Sequence, residues 1–248
     1  MTPIPIVLFI DRELDPAPFA DALSPQLACR ERVAPEERDA VVALVTSSEP
    51  VAQGDVLDYP GLRVVLTCST GTDHLDVDGL RARGLTVRNT PTYCSDDVAD
   101  HALACVLAGW RGLWRLDRGV RAGRWDAGAV LRRFDAQRLG IVGLGRIGTA
   151  LARRALALGI EVVGHDPLAP PPAGVQELAL EDLLASSDAV SLHLPAVPGA
   201  PPILGTSQLT LMKPDALLVN LARAALVDLD AMVDALVGGR LGGAAWDV

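Results

Sequence analysis

Glycines at 143, 145 and 148 form the pattern GxGxxG within "LGIVGLGRIGTALARRALALGIEVVGHDP", between a continuous aliphatic run and an Ala/Leu-rich stretch. Each glycine has its own task in dinucleotide binding. Gly143 permits a tight turn, Gly145 lets backbone approach a pyrophosphate, and Gly148 allows helix and strand to pack closely. The first turn of the following helix offers free N–H groups and partial positive charge to the phosphates. Asp166 closes the next aliphatic run, 18 residues beyond Gly148. A carboxylate there hydrogen-bonds a ribose diol and repels a 2′-phosphate, which favours NAD over NADP. A ligand-free glycine turn and a plain Asp-Pro turn are the competing reading; the strand–turn–helix context weighs against it.

These residues need a sheet to hold them. Aliphatic runs at 4–10, 41–48, 62–70 and 85–91 predict strands, each closed by Asp, Ser, Thr, Asn or Pro. Between them, 15–23 reads as a short helix with Asp15 as its N-cap, and 74–84 as a helix stopped by Gly84. Alternating strands and helices predict an α/β unit with a mostly parallel sheet. Residues 95–125 then read as one long helical stretch, acidic at its start and basic towards its end. From Leu139 a second α/β series follows, through "LGIVGLG", "IEVVGHDP", "DAVSLHLP", "ALLVNLA" and "LGGAAWDV", with helices at 146–158 and 226–238. The expected division is 1–94 and 95–248.

Composition agrees. Of 248 residues, 50% are hydrophobic and only 4% aromatic, with mean hydropathy +0.29. Such a core is built from Ala, Val and Leu, as suits parallel strands covered on both faces. A net charge of −9 and a pI near 4.9 argue against nucleic acid or an anionic membrane as the main partner. Cys29, Cys68, Cys94 and Cys105 show no CxxC spacing, so reduced thiols in a cytoplasmic protein are expected, and no residue is assigned to a metal. The N-terminus lacks a basic n-region, and its apolar run is too short for a bilayer.

Several motifs together resemble the D-isomer-specific 2-hydroxyacid dehydrogenases: "STGTDHLDVDGLRARGLTVRNTPTYCSDDVADHALACVLA" (69–108), "LGIVGLGRIG" (139–148), "DAVSLHLP" (188–195) and "LMKPDALLVNLARAALVDLDAMVDALVGGRLGGAAWDV" (211–248). The resemblance implies two doubly wound parallel-sheet domains: a flavodoxin-like substrate domain (1–94) and a Rossmann NAD-binding domain (95–248). It implies hydride transfer between NAD(H) and a 2-hydroxy or 2-keto acid, in a homodimer. Arg223 matches the arginine that grips the substrate carboxylate and polarises its carbonyl, a task suited to a fixed, permanently charged guanidinium fork. Ser69, Thr70 and Gly71 match the turn whose backbone N–H groups hold that carboxylate. Gly143, Gly145, Arg146, Ile147, Gly148, Asp166, His193, Leu221, Ala222 and Asp247 match coenzyme contacts, Asp247 facing the nicotinamide amide. Residues 107–125, with Trp110, Trp114 and Trp125, read as a dimer arm or an intradomain helix.

Two departures stand out: Arg223 is followed by Ala224-Ala225 rather than Gly, and the loop after Pro195 is Pro-rich. The resemblance further implies that a glutamate and the proton-transfer histidine lie beyond the segment matching "GGAAWDV". None of His74, His101, His165 and His193 matches that place; His74 is expected to open a helix and His101 to be a packed core residue. Loss of a general acid/base costs ~10²–10⁴-fold in rate. Two functions therefore stand side by side: an NAD-dependent oxidoreductase of impaired turnover, and a non-catalytic NAD-binding sensor or partner subunit.

Overall fold

The computed structural model describes residues 4–23, 25–125, 131–197 and 199–248. The chain divides into two compact units, Met1–Tyr93 and Cys94–Val248.

The first unit holds β1 (Ile6–Phe9), α1 (Ala17–Ala22), β2 (Ala28–Arg30), β3 (Val41–Thr46), β4 (Val64–Thr67), α2 (Val77–Ala82) and β5 (Thr86–Arg88). Its parallel sheet runs β2-β1-β3-β4-β5, the flavodoxin-like order. Alternate residues feed opposite faces. Ile6 and Leu8 join Leu44, Val65 and Leu80 on one side, while Val7 and Phe9 join Ala43 and Val45 on the other. Asp15 accepts from the N–H of Ala17, but Pro16 is the N-cap of α1, so the predicted cap shifts by one residue. Strand β2 was not expected; Ala-Cys-Arg carries no aliphatic signal, and only pairing with β1 makes it a strand.

The second unit opens with α3 (Ser95–Trp110) and α4 (Leu113–Arg121). The single long helix expected here is broken at Gly112, whose φ of 60° lies in the left-handed region and ends the α3 geometry. There follow β6 (Arg138–Val142), α5 (Arg146–Ala157), β7 (Glu161–His165), β8 (Gln176–Glu177), α6 (Leu180–Ser186), β9 (Ala189–Leu192), α7 (Thr206–Leu211), β10 (Leu217–Asn220), α8 (Leu229–Val237) and β11 (Gly243–Trp246). The sheet order is β11-β10-β9-β6-β7-β8, every pair parallel. Chain direction across the sheet reverses between β6 and β9, the crevice where open α/β sheets bind nucleotides.

Small residues set the packing of this unit. Ala99, Ala102, Cys105, Val106 and Trp110 form the buried stripe of α3; Gly148, Ala150, Leu151, Ala152 and Ala155 form that of α5. Arg154 on α5 pairs with Asp96 and Asp100 on α3 and holds the two together at the surface. At the amino edge of the sheet, the nearly buried Asp188 accepts from the N–H of Arg138 (2.8 Å) and pairs with Lys213 (2.8 Å).

Candidate coenzyme and substrate site

Because the strands of the second unit run parallel, the residues that follow them share one edge. Gly143 follows β6, Asp166 follows β7, His193 follows β9, Leu221–Arg223 follow β10 and Asp247 follows β11. Residues more than a hundred positions apart in sequence thus lie along one edge of the sheet.

The glycine turn is fixed from three sides. Gly143 has φ 96°, and a Cβ there would come within 2.5 Å of the His193 carbonyl. Its N–H donates to His165 O (2.9 Å), extending the β6–β7 ladder into the turn. A Cβ on Gly148 would collide with the Gly143 carbonyl, so only glycine lets α5 start so close to β6. Gly145 is different: it is exposed, and a Cβ there would meet nothing within 4 Å. It is the N-cap of α5 and brings no capping side chain, which leaves the helix's first N–H groups, at Arg146 and Ile147, without a side-chain cap. An exposed helix start beside open space fits a pyrophosphate.

Asp166 does more than the sequence suggested. One carboxylate oxygen accepts from the N–H of Leu144 (2.7 Å), the other from Leu168 (2.8 Å) and Ala169 (3.1 Å). It therefore buttresses the glycine turn from the neighbouring strand. Burial pushes its carboxyl upward, but the backbone donors at Leu168, Leu144 and Ala169 outweigh burial and hold it below the usual range. The anion retains lone pairs for a diol.

His193 sits against β6, its N–H donating to Val142 O (2.8 Å), while Nε2 lies 2.9 Å from the buried Ser191 hydroxyl. Desolvation lowers its pKa to about 4, so the imidazole is neutral at physiological pH. His165, half-buried, meets Leu178 O through Nδ1 at 3.0 Å.

Arg223 is half-buried in extended backbone. Its position is set by Asn220, the fully buried last residue of β10. The Asn220 amide accepts from the N–H of Ala222 (3.1 Å) and Arg223 (3.3 Å), and donates to Arg223 O (2.8 Å). Sequence reasoning passed over Asn220; the signal available was an amide closing an otherwise aliphatic strand. The same residue's carbonyl accepts from the N–H of Asp247 (3.3 Å), so one side chain and its backbone order both the arginine loop and the end of β11.

Asp247 is largely exposed, and its Oδ2 lies 4.0 Å from His101 Nε2. The expectation that His101 is a core residue fails: its side chain is 56% exposed, because the buried stripe of α3 passes through Ala102 and Cys105 instead. His74 precedes α2, whose N-cap is Asp76, and its Nε2 reaches the Thr67 hydroxyl (3.1 Å). Of the four free cysteines only Cys105 is buried.

In the first unit the turn after β4 is held by its own polar groups. Ser69 Oγ donates to Gly71 O (2.7 Å), and Asn89 donates to Thr70 O (2.7 Å). Thr90 N–H donates to Ser69 O (3.2 Å). The carbonyls of this turn are thereby occupied from within the unit. Asp11, after β1, is 5% exposed and accepts from the N–H of Ser47 and Ser48 and from the Thr46 hydroxyl.

A flavodoxin-like unit followed by a Rossmann unit with an open glycine turn defines a two-domain dinucleotide-binding α/β protein. The family model described as "D-isomer specific 2-hydroxyacid dehydrogenase, NAD binding domain" matches residues 103–248. The chain belongs to the D-isomer-specific 2-hydroxyacid dehydrogenase family. It is 36% identical to D-3-phosphoglycerate dehydrogenase of Mycobacterium tuberculosis over 99% of this chain and 48% of that protein. It is likewise 36% identical to glyoxylate reductase of Thermococcus litoralis, over 86% of this chain and 67% of that one. The chain thus spans about half the length of the mycobacterial relative. Among solved structures, D-lactate dehydrogenase from Aquifex aeolicus, complexed with NAD and lactic acid, superposes with a TM-score of 0.85 at 26% identity, covering 98% of this chain and 76% of that chain.

Proposed function

We propose that this protein transfers hydride between NAD(H) and a 2-hydroxy or 2-keto acid. The observation that carries the reading is the carboxyl edge of the second unit's sheet, where an open glycine turn and an arginine clamped by Asn220 lie on the same side. Gly143, Gly145, Arg146, Ile147, Gly148 and Asp166 would hold the dinucleotide, with His193, Leu221, Ala222 and Asp247 along its nicotinamide half. NAD, when bound, supplies or accepts the hydride. The planar guanidinium fork of Arg223 suits a carboxylate. Ser69, Thr70 and Gly71 are the proposed substrate element of the first unit, which takes the substrate-domain role, while 94–248 takes the coenzyme role. We assign the protein to the cytoplasm as a homodimer. The free cysteines support the first assignment, and exposed Val120 and Trp125 support the second. Among the described residues no helix is long and apolar enough to cross a membrane.

A second reading, coenzyme binding without turnover, is favoured by one observation. His193, whose backbone packs against the glycine turn, is neutral down to about pH 4 and so supplies no proton near neutrality. Both readings are tested together by measuring NADH oxidation with glyoxylate, pyruvate and hydroxypyruvate, beside a calorimetric NADH titration. Turnover that collapses in Arg223→Gln while NADH still binds supports the dehydrogenase. Tight NADH binding with no oxidation of any acid supports the second reading, and failure to bind NADH refutes both.

A further inference from the structure

The turn after β4 hangs on a chain of side chains that leads back to His74. Thr67, the last residue of β4, is 1% exposed. Its hydroxyl meets the Ser69 N–H (3.2 Å), Ser69 Oγ (2.7 Å) and His74 Nε2 (3.1 Å). Proton counting fixes the direction of each bond. A carbonyl only accepts, so the single hydroxyl proton of Ser69 goes to Gly71 O (2.7 Å). Ser69 Oγ then accepts from Thr67, whose own proton is thereby spent. Thr67 Oγ1 must therefore accept from His74, as it does from the Ser69 N–H, and both its lone pairs are filled. The result is one directed chain: His74 Nε2–H to Thr67, Thr67 to Ser69, Ser69 to Gly71 O. It requires a proton on Nε2 of His74.

The chain starts from fixed backbone. His74 O accepts from the N–H of Val51 (3.1 Å), and Leu75 bridges to Val51, both of them buried. Its other end decides which way the turn faces. Three successive carbonyls are held from within the unit: Ser69 O by the Thr90 N–H, Thr70 O by Asn89, and Gly71 O by Ser69 Oγ. In a trans peptide the following N–H points opposite to its carbonyl, so the N–H groups of Thr70, Gly71 and Thr72 turn the other way. Among the described residues those of Gly71 and Thr72 meet no backbone acceptor. Such N–H groups suit a carboxylate. We propose that His74 is a positioning residue for the substrate turn, acting through Thr67 and Ser69 on the Gly71 carbonyl. Without the His74 donor a lone pair of buried Thr67 falls vacant. Ser69 then gives its proton to Thr67 instead, and the Gly71 peptide is released to rotate. This role rests on the reading that residues 69–71 receive the substrate carboxylate.

The probe is oxamate, an unreactive analogue of a 2-keto acid, titrated calorimetrically into the full chain loaded with NADH. His74→Leu should weaken oxamate at least tenfold while the NADH Kd stays unchanged. His74→Gln, whose amide N–H reaches the place of Nε2–H, should restore oxamate affinity to within threefold. Thr67→Val combined with His74→Leu should bind no more weakly than Thr67→Val alone, since both cut one chain. Nitrogen NMR of the histidine rings, with the His74 signals identified by their loss in His74→Gln, should show Nε2 protonated. Oxamate affinity indifferent to His74→Leu, a loss that His74→Gln fails to restore, a bare Nε2, or no oxamate binding by the natural chain would each overturn the inference. Turnover of keto acids is measured alongside. Oxamate binding that depends on His74 without turnover of any acid would refute hydride transfer and leave the positioning role standing.

Discussion

Acid should loosen the second unit through His193, and the size of the effect follows from where its proton is refused. In the unfolded chain this imidazole titrates at its ordinary value of 6.5; in the fold, desolvation lowers it to about 4. Between those values the unfolded chain binds a proton that the native state does not, so stability is fully present above pH 6.5 and falls as pH drops towards 4. The loss attributable to this one group is about 1 kcal/mol at pH 5.5 and about 3 kcal/mol at pH 4. The part of the ring that reaches solvent makes these upper bounds. The perturbation is His193→Asn, which removes the titrating group. All four tryptophans lie in the second unit, so urea unfolding followed by their fluorescence reports that unit. At pH 7.5 the variant differs from the natural chain by a fixed amount. On moving to pH 5.5 that difference should shift in the variant's favour by about 1 kcal/mol, because every other titrating group is common to both. Parallel stability curves would mean that His193 protonates normally in the fold, and the neutral-imidazole reasoning would be wrong.

Gly148→Ala should destabilise the second unit by about 1–3 kcal/mol, because the added methyl meets the Gly143 carbonyl; a melting temperature within error of the natural chain's would contradict it. Asp166→Ala removes the acceptor for three backbone N–H groups. It should lower both stability and NADH affinity, and calorimetry should show NADH and NADPH converging, whereas unchanged preference for NADH would argue against a diol contact. Asn220→Ala should raise KM for the keto acid while NADH Kd moves little, since the amide's donor and acceptor both act on the Arg223 loop; loss of NADH binding alone would point elsewhere. Asp11 is held below the usual carboxylate range, its backbone donors at Ser47 and Ser48 with the Thr46 hydroxyl outweighing burial. Its contribution is present above pH 3.8 and lost below it. Asp11→Asn should therefore cost more stability at pH 7 than at pH 3, read by denaturant unfolding.

Much of the fold is written in local patterns. The aliphatic-rich stretches read as strands became β1, β3, β4, β5, β6, β7, β9, β10 and β11, because a parallel strand covered on both faces needs no strict alternation to declare itself. Strands β2 and β8, of three and two residues, carry no such run and exist only through pairing with a neighbour. The break at Gly112 was missed for a related reason. Glycine in a helical pattern lowers propensity without specifying left-handed backbone, and only the packing around it decides.

For the site, sequence alone marked Gly143, Gly145 and Gly148 as the tight turn between strand and helix, since an absent side chain leaves few alternatives once strand and helix flank it. It also named Asp166 and Arg223. Tertiary structure decided what those groups touch. It gave Asp166 to the Leu144 N–H and Arg223 to Asn220, turned His101 outward towards Asp247, and made His193 neutral. Hydrogen-bond partners and desolvation are properties of distant segments brought together, and a linear pattern encodes each group's character without its surroundings.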